Sequence, residues 1–138
     1  MKRYIYNSLI AFFGGLAGFS GLFLLYWLVK ANLWACLLPL FGYLLFISLI
    51  EEGTKFLLIK KWKIGKYPYG LLLGLGWGAT ENLFNYINYG NLLYAPLGLH
   101  IITAGIISYF IKKNKPLLGL LIAVIVHTGF NLFLVYMT

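Results

Sequence analysis

Acidic residues are almost missing from this 138-residue chain, which has three glutamates and no aspartate. Charged residues of either sign make up 10% of the chain and hydrophobic residues 62%, against about 25% and 45–50% in an average soluble domain. That scarcity excludes a soluble globular domain, a disordered tail and a nucleic-acid-binding domain. A single cysteine, Cys36, excludes an intrachain disulfide and says little about redox compartment. The alternating pattern of a membrane β-strand is absent, as are internal repeats, linkers and low-complexity segments. The basic start Met1-Lys2-Arg3 resembles a signal peptide, but the apolar run behind it is 25 residues long and lacks a small-residue cleavage site. It is expected to be kept as a first span.

What the chain does have is long apolar runs. Five are long enough for a bilayer core of about 30 Å, which takes about 20 helical residues: Ile5–Val29, Leu33–Ile59, Tyr69–Asn88, Leu92–Ile111 and Leu117–Thr138. Lipid offers an unpaired backbone group no partner, so the spans must be helices. The expected fold is an all-α polytopic bundle over residues 1–138, a single integral-membrane domain. The net charge of +8 sits in its connectors. Lys2, Arg3, Lys60, Lys61, Lys63, Lys66, Lys112, Lys113 and Lys115 fall on one side, and only Lys30 on the other. Nine against one predicts a cytoplasmic N-terminus and an external C-terminus. Interface aromatics follow, with Tyr26, Trp27, Trp34, Tyr86, Tyr89 and Tyr94 outside and Trp62, Tyr67 and Tyr69 inside. Gly14, Gly18 and Gly21 of the first span, and Gly70, Gly74 and Gly78 of the third, predict close helix packing.

All three acids, Glu51, Glu52 and Glu81, lie inside apolar spans, and so do both histidines, His100 and His127. A carboxylate at a helix centre costs at least ~2.5–3.5 kcal/mol on insertion scales, so these positions imply use. With about 1.5 Å of rise per residue, Glu51 and Glu52 stand about 12–14 Å above Lys60 and Glu81 about 18 Å above Tyr69. By the same rise His100 stands about 18 Å above Lys112, His127 about 15 Å above Leu117 and Asn131 about 21 Å above it. Groups from four helices therefore share one slab near the midplane, where convergence on a hydrated cavity is the economical explanation. Lys55, three and four residues after the glutamates, can neutralise either one and snorkel to the inner interface. His127 and Asn131 share a face, as do Glu81 and Asn85, with Trp77 and Gly78 a turn before them. Thr103 follows His100 by one turn.

Carboxylates and imidazoles around water can hydrolyse an amide: one carboxylate takes a proton from water, and His and Asn donors hold the oxyanion. Ser48 has no histidine on its helix and Cys36 is far from the polar layer, so neither suits a nucleophile. The bland alternatives are a Glu–Lys ion pair, and interhelical hydrogen bonds from Glu81, the histidines, Asn82, Asn85 and Asn131.

Glu51-Glu52-Gly-Thr-Lys55 resembles the EExxK motif of the PrsW-type glutamic intramembrane proteases. Gly78-Ala-Thr-Glu81-Asn82-Leu-Phe-Asn-Tyr86 is similar to their second motif. His100 with Gly105-Ile-Ile-Ser-Tyr-Phe resembles the third, and His127-Thr-Gly-Phe-Asn131 the last. The wider superfamily of CaaX-processing and bacteriocin-processing membrane peptidases carries a His where this chain has Glu81. The resemblance spans Glu51 to Asn131 in order. It implies an intramembrane endopeptidase in a prokaryotic cytoplasmic membrane, acting on a membrane-anchored protein or peptide, with no nucleic-acid partner. It also implies Glu51, Glu52, Glu81, His100, His127 and Asn131 as the catalytic set, His127 and Asn131 serving the oxyanion, with Lys55, Asn82 and Asn85 in support.

Helix geometry alone makes Glu51 the better partner for Lys55. The resemblance makes Glu51 the base and leaves Glu52 to satisfy Lys55 or a neighbouring backbone group. No cofactor is required. The alternative is Zn²⁺ on Glu51, Glu81, His100 and His127, although no HExxH-like helix accompanies them. Two other functions fit the same residues: a non-catalytic membrane scaffold, and a small proton-coupled transporter.

Overall fold

A computed structural model describes residues 2–30, 40–61, 67–90 and 94–137. Among them are five α-helices and no strand: α1 (Lys2–Lys30), α2 (Leu40–Lys61), α3 (Tyr67–Tyr89), α4 (Tyr94–Lys112) and α5 (Pro116–Met137). The expected first half-turns of the second span, with Trp34 and Cys36, lie outside the described residues, as do Trp62, Lys63 and Lys66. The side chains of Lys2, Arg3, Tyr26, Trp27, Lys30, Tyr67, Tyr89 and Tyr94 lie outside them too.

Local sequence sets the described helix ends. Pro68, Pro96 and Pro116 fall in the first turns of α3, α4 and α5, where a missing N–H leaves no helical bond unmade. α3 stops at Gly90, whose positive φ of 70° accompanies a bond from its N–H to Tyr86 O at 2.9 Å. α4 stops at Asn114 (φ 57°): Asn114 N–H reaches Ile111 O and Lys115 N–H reaches Phe110 O. That paired closure satisfies two orphan carbonyls and turns the chain straight into α5.

Among the described residues, two helices are long and apolar enough to cross a membrane by length and composition: Ala95–Lys112 (mean hydropathy 1.3) and Pro116–Met137 (2.2). On α5, Leu117, Leu121, Ile125 and Phe133 form an exposed apolar ladder at helical spacing. α2 and α3 have 22 and 23 residues, but they carry the three glutamates and Lys55.

α3 is the centre of the bundle, packed on α1 by one face and on α4 by another. α5 packs on α4, and α2 lies mainly against α5 with lesser contact to α4 and α1. Glycine allows the α3 contacts. A Cβ on Gly70 would strike Ser108, one on Gly74 would lie 2.8 Å from Ile101 Cα, and one on Gly78 would lie 2.7 Å from Leu97 Cα. On the opposite face, Gly76 abuts the Phe12 carbonyl and Gly15 of α1 abuts the Leu73 carbonyl. Gly18 meets the ring of Trp77. Gly21, expected to pack, faces open space.

The core joins Ala11, Phe56, Ile59, Tyr69, Leu73, Trp77, Ala104, Ile107 and Ala123. Tyr69 is thus 3% exposed and not an interface aromatic, because the neighbouring Gly70 draws the first turn of α3 onto Ser108. Tyr86 is exposed as expected.

Backbone contact at Gly74 sets a measurable expectation. Gly74→Val should destabilise the purified protein by about 1–3 kcal/mol through overpacking. Gly21→Ala should be neutral or slightly stabilising, since Ala is the better helix former by up to about 1 kcal/mol. Thermal unfolding of both variants checks this, and equal melting points would contradict the close α3–α4 approach.

Candidate functional site

The inward stripe of α2 runs Ser48, Glu52, Lys55, Ile59, all buried, at the three- and four-residue spacings that share a helix face. Glu51 stands at the edge of this stripe. α3 contributes Trp77 and Glu81, α4 contributes His100 and Thr103, and α5 contributes His127. Because Gly74 brings the two backbones together at His100, the imidazole of α4 reaches Glu81 two turns further along α3.

These side chains form one connected polar chain. Lys55 Nζ donates to Glu52 Oε1 at 2.6 Å, to His100 Nδ1 at 2.8 Å and to Thr103 Oγ1 at 3.2 Å. It also lies 5.2 Å from the centre of the Trp77 ring, within cation–π range. An ammonium has only donors, so His100 Nδ1 must accept, which puts the imidazole proton on Nε2. That Nε2–H donates to Glu81 Oε2. Glu52 Oε1 accepts a second bond, from His127 Nδ1 at 2.6 Å. His127 then turns Nε2 toward Glu51 Oε2, 3.9 Å away, which is too long for a direct hydrogen bond. The two imidazole centres are 5.3 Å apart.

Exposure divides the chain into two ends. Lys55, Glu52 and Thr103 are fully buried. The Glu51 and Glu81 side chains keep 20% and 28% of their surface open. The inner part is therefore a fixed ionic scaffold, and the two outer carboxylates are within reach of small polar molecules.

Glu51, Glu52, Lys55, Glu81, His100 and His127, chosen from sequence, do converge. Lys55 departs from expectation in two ways. It pairs with Glu52 three residues away, not with Glu51 four away, because His100 and Thr103 lie on the Glu52 side. It also does not snorkel: with three acceptors in reach inside the bundle, its ammonium has no need of the interface. Asn131 is half-buried one turn beyond His127, and no hydrogen bond joins it to the cluster among the described residues. Asn85 is likewise unattached there, and Asn82 is buried with Oδ1 unpartnered. Unpartnered Glu52 Oε2, Ser48 Oγ and Thr128 Oγ1 also lie buried. Thr128 was not anticipated; its only sequence signal is its place beside His127. Trp77, part of the apolar core, also roofs the lysine.

Ligand atoms of Glu51, His100 and His127 lie within 4.8 Å of one another, near enough in distance for a shared metal ion. Glu81, the fourth expected ligand, is bonded to His100 instead. Both His100 nitrogens are engaged, one by an ammonium that a divalent cation at this trio would have to face. The residues as arranged do not fit Zn²⁺.

No family model, curated protein or solved structure matches this chain.

The ion pair supplies a second expectation. Lys55→Met should destabilise by about 3–5 kcal/mol, because Glu52 is left as an uncompensated buried charge. Adding Glu52→Gln should recover most of that loss, since contacting residues couple strongly. A denaturant-unfolding double-mutant cycle measures the coupling, and strictly additive effects would contradict the pairing.

Proposed function

We propose that the chain is an intramembrane endopeptidase that cleaves membrane-anchored proteins or peptides with a glutamate-activated water. In this proposal all five helices cross a cytoplasmic membrane, with the N-terminus inside and the C-terminus outside. The lysine distribution supports that orientation, and the two apolar helices support the membrane location. The observation that carries the function is the asymmetric polar chain itself: three carboxylates and two imidazoles from four helices, fixed by a buried lysine and open only at its outer carboxylates.

Glu51 is the base. It is not consumed by Lys55, it is partly accessible, and its Oε2 faces His127 Nε2 across 3.9 Å. One water can contact both groups across that gap. Glu51 takes a proton from the water as its oxygen adds to the scissile carbonyl carbon, forming a tetrahedral oxyanion. The intermediate collapses with cleavage of the C–N bond, and Glu51 returns the proton to the leaving amine. His127, oriented by its bond to Glu52, presents Nε2 to the reacting centre, where an N–H at that atom would serve the oxyanion. Glu52 Oε1 accepts from both Lys55 and His127 and so holds the two in place. Asn131 would reach the oxyanion only by turning toward a bound substrate.

The hydrogen-bonded path from Glu81 through His100, Lys55 and Glu52 to His127, which stops 3.9 Å short of Glu51, also favours a proton relay. Both ends of that path stand at similar heights, about 12–18 Å above the inner ends of their helices. A relay within one level joins groups of a single site and does not connect the two faces of a membrane, which favours hydrolysis over transport.

Purified protein should cleave a membrane-anchored reporter peptide, with the products mapped by mass spectrometry. Glu51→Gln should lower the rate by about 10²–10⁴-fold, as for loss of a general base, and His127→Ala should also abolish cleavage, each without loss of folding. Full activity in both variants would remove the peptidase. Glu81-dependent proton flux in liposomes, with no cleavage, would put the relay in its place.

A further inference from the structure

A groove of about 950 Å³ runs along α4 against α3, away from the polar chain. Its wall includes Leu71 of α3 and, on α4, extends from Ile101 to Lys112, with Gly105 and Tyr109 between and Lys113 at the mouth. No member of the glutamate–histidine cluster lines it. We propose that this groove is a binding site for one anionic phospholipid of the inner leaflet, with an acyl chain along α4 and the headgroup phosphate at Lys112 and Lys113. The proposal rests on the reading of α4 as a membrane span, and not on any catalytic activity.

Length is the first support. From Ile101 to Lys112 the helix rises about 16 Å, close to half of a hydrocarbon core of about 30 Å. The groove therefore extends the depth of one leaflet, beginning beside the midplane residue His100 and ending where headgroups lie. Its chemistry changes along the same axis. The deep part is apolar, with Gly105 contributing no side chain to the wall, and the shallow part ends in Tyr109 and two ammonium groups.

Charge selects the occupant. Lys112 and Lys113 are exposed, and all three acidic residues of the chain belong to the polar cluster, outside the groove. No carboxylate pairs with either lysine among the described residues. Lys113 Nζ lies 5.8 Å from the centre of the Tyr109 ring, a contact that holds the ammonium over the groove mouth. The closed turn at Asn114 fixes the backbone that carries both lysines. Two unneutralised cations above an apolar channel match a lipid with net negative charge, and basic recesses between helices at the cytoplasmic side take anionic headgroups for this reason. A zwitterionic lipid offers the same chain without the excess charge.

The test uses the full chain reconstituted in vesicles of phosphatidylcholine containing phosphatidylglycerol, then extracted and examined by native mass spectrometry. Phosphatidylglycerol should be retained over phosphatidylcholine by roughly 10–30-fold, given about one favourable contact per lysine near the surface. Lys112→Ala/Lys113→Ala should reduce retention of phosphatidylglycerol to that of phosphatidylcholine. Gly105→Leu, which fills the channel, should lower retention of both lipids. Lys60→Ala/Lys61→Ala removes two exposed lysines outside the groove and should leave the preference intact. Unfolding temperature identifies any variant that fails to fold, and the lysine pairs, being exposed, keep the question answerable if Gly105→Leu does.

Equal retention of the two lipids by the wild-type chain would overturn the proposal. So would equal losses from the two lysine pairs, which would mean diffuse surface charge, or crosslinking at Tyr109 to a second copy of the chain, which would mean a protein–protein face. A chain that stays in solution without detergent would overturn the membrane reading itself. A chain that integrates but shows no lipid preference would overturn only this site.

Discussion

A lysine ammonium with no access to water must find acceptors for its protons and a counter-charge within reach. Lys55 meets that demand with Glu52, His100 and Thr103, and much else follows. Because an ammonium cannot accept, His100 is held as a single tautomer with its remaining N–H directed at Glu81. Because Glu52 gives one oxygen to both Lys55 and His127, the second imidazole is oriented too. One buried charge on α2 thus positions groups on α3, α4 and α5. Removing it leaves more than a lost contact: a buried carboxylate without its cation, and an imidazole with no fixed proton.

The scaffold can exist only where helix backbones come very close. α3 presents glycine on two faces, Gly70, Gly74 and Gly78 toward α4 and Gly76 toward α1. Such surfaces permit close van der Waals packing between the helices. The glycines and the polar chain are thus linked parts of one arrangement. The Gly74 contact with the His100 backbone carries the imidazole to Glu81, and Trp77, one turn away, closes over the lysine that fixes it. Helices of ordinary side-chain bulk would hold these groups too far apart to connect.

The five helices, and the height at which their polar groups meet, were legible because apolar run length and residue rise are properties of the chain itself. Convergence of Glu51, Glu52, Glu81, His100 and His127 followed from counting along each helix. What could not be read was anything decided between helices. Spacing favours Glu51 for Lys55, but His100 and Thr103 lie toward Glu52 and reverse that preference. Snorkelling assumes that a lysine's best acceptors are at the interface, and fails where three are nearer. Tyr69 resembles an interface aromatic until Gly70 draws its turn onto Ser108, and Gly21 resembles a packing glycine although no described residue meets it. Asn131 shares a face with His127 but stands about 6 Å higher along the axis, which separates two residues that sequence spacing had placed together.

The unequal exposure of the three carboxylates bears on which of them can act. A general base has to contact the molecule it deprotonates, and its lone pairs must not be saturated by donors. Glu52 is fully buried, with one oxygen accepting two charge-assisted bonds, so it is suited to hold charge and poorly suited to exchange protons. Glu81 is open, but its proton acceptor faces His100, whose other nitrogen is committed to Lys55. Glu51 alone combines access with an unsatisfied oxygen facing an imidazole nitrogen that the scaffold has already oriented. Two adjacent glutamates of identical chemistry are thereby given different surroundings by one lysine: the carboxylate it grips is buried and doubly bonded, and the one it leaves stays partly open.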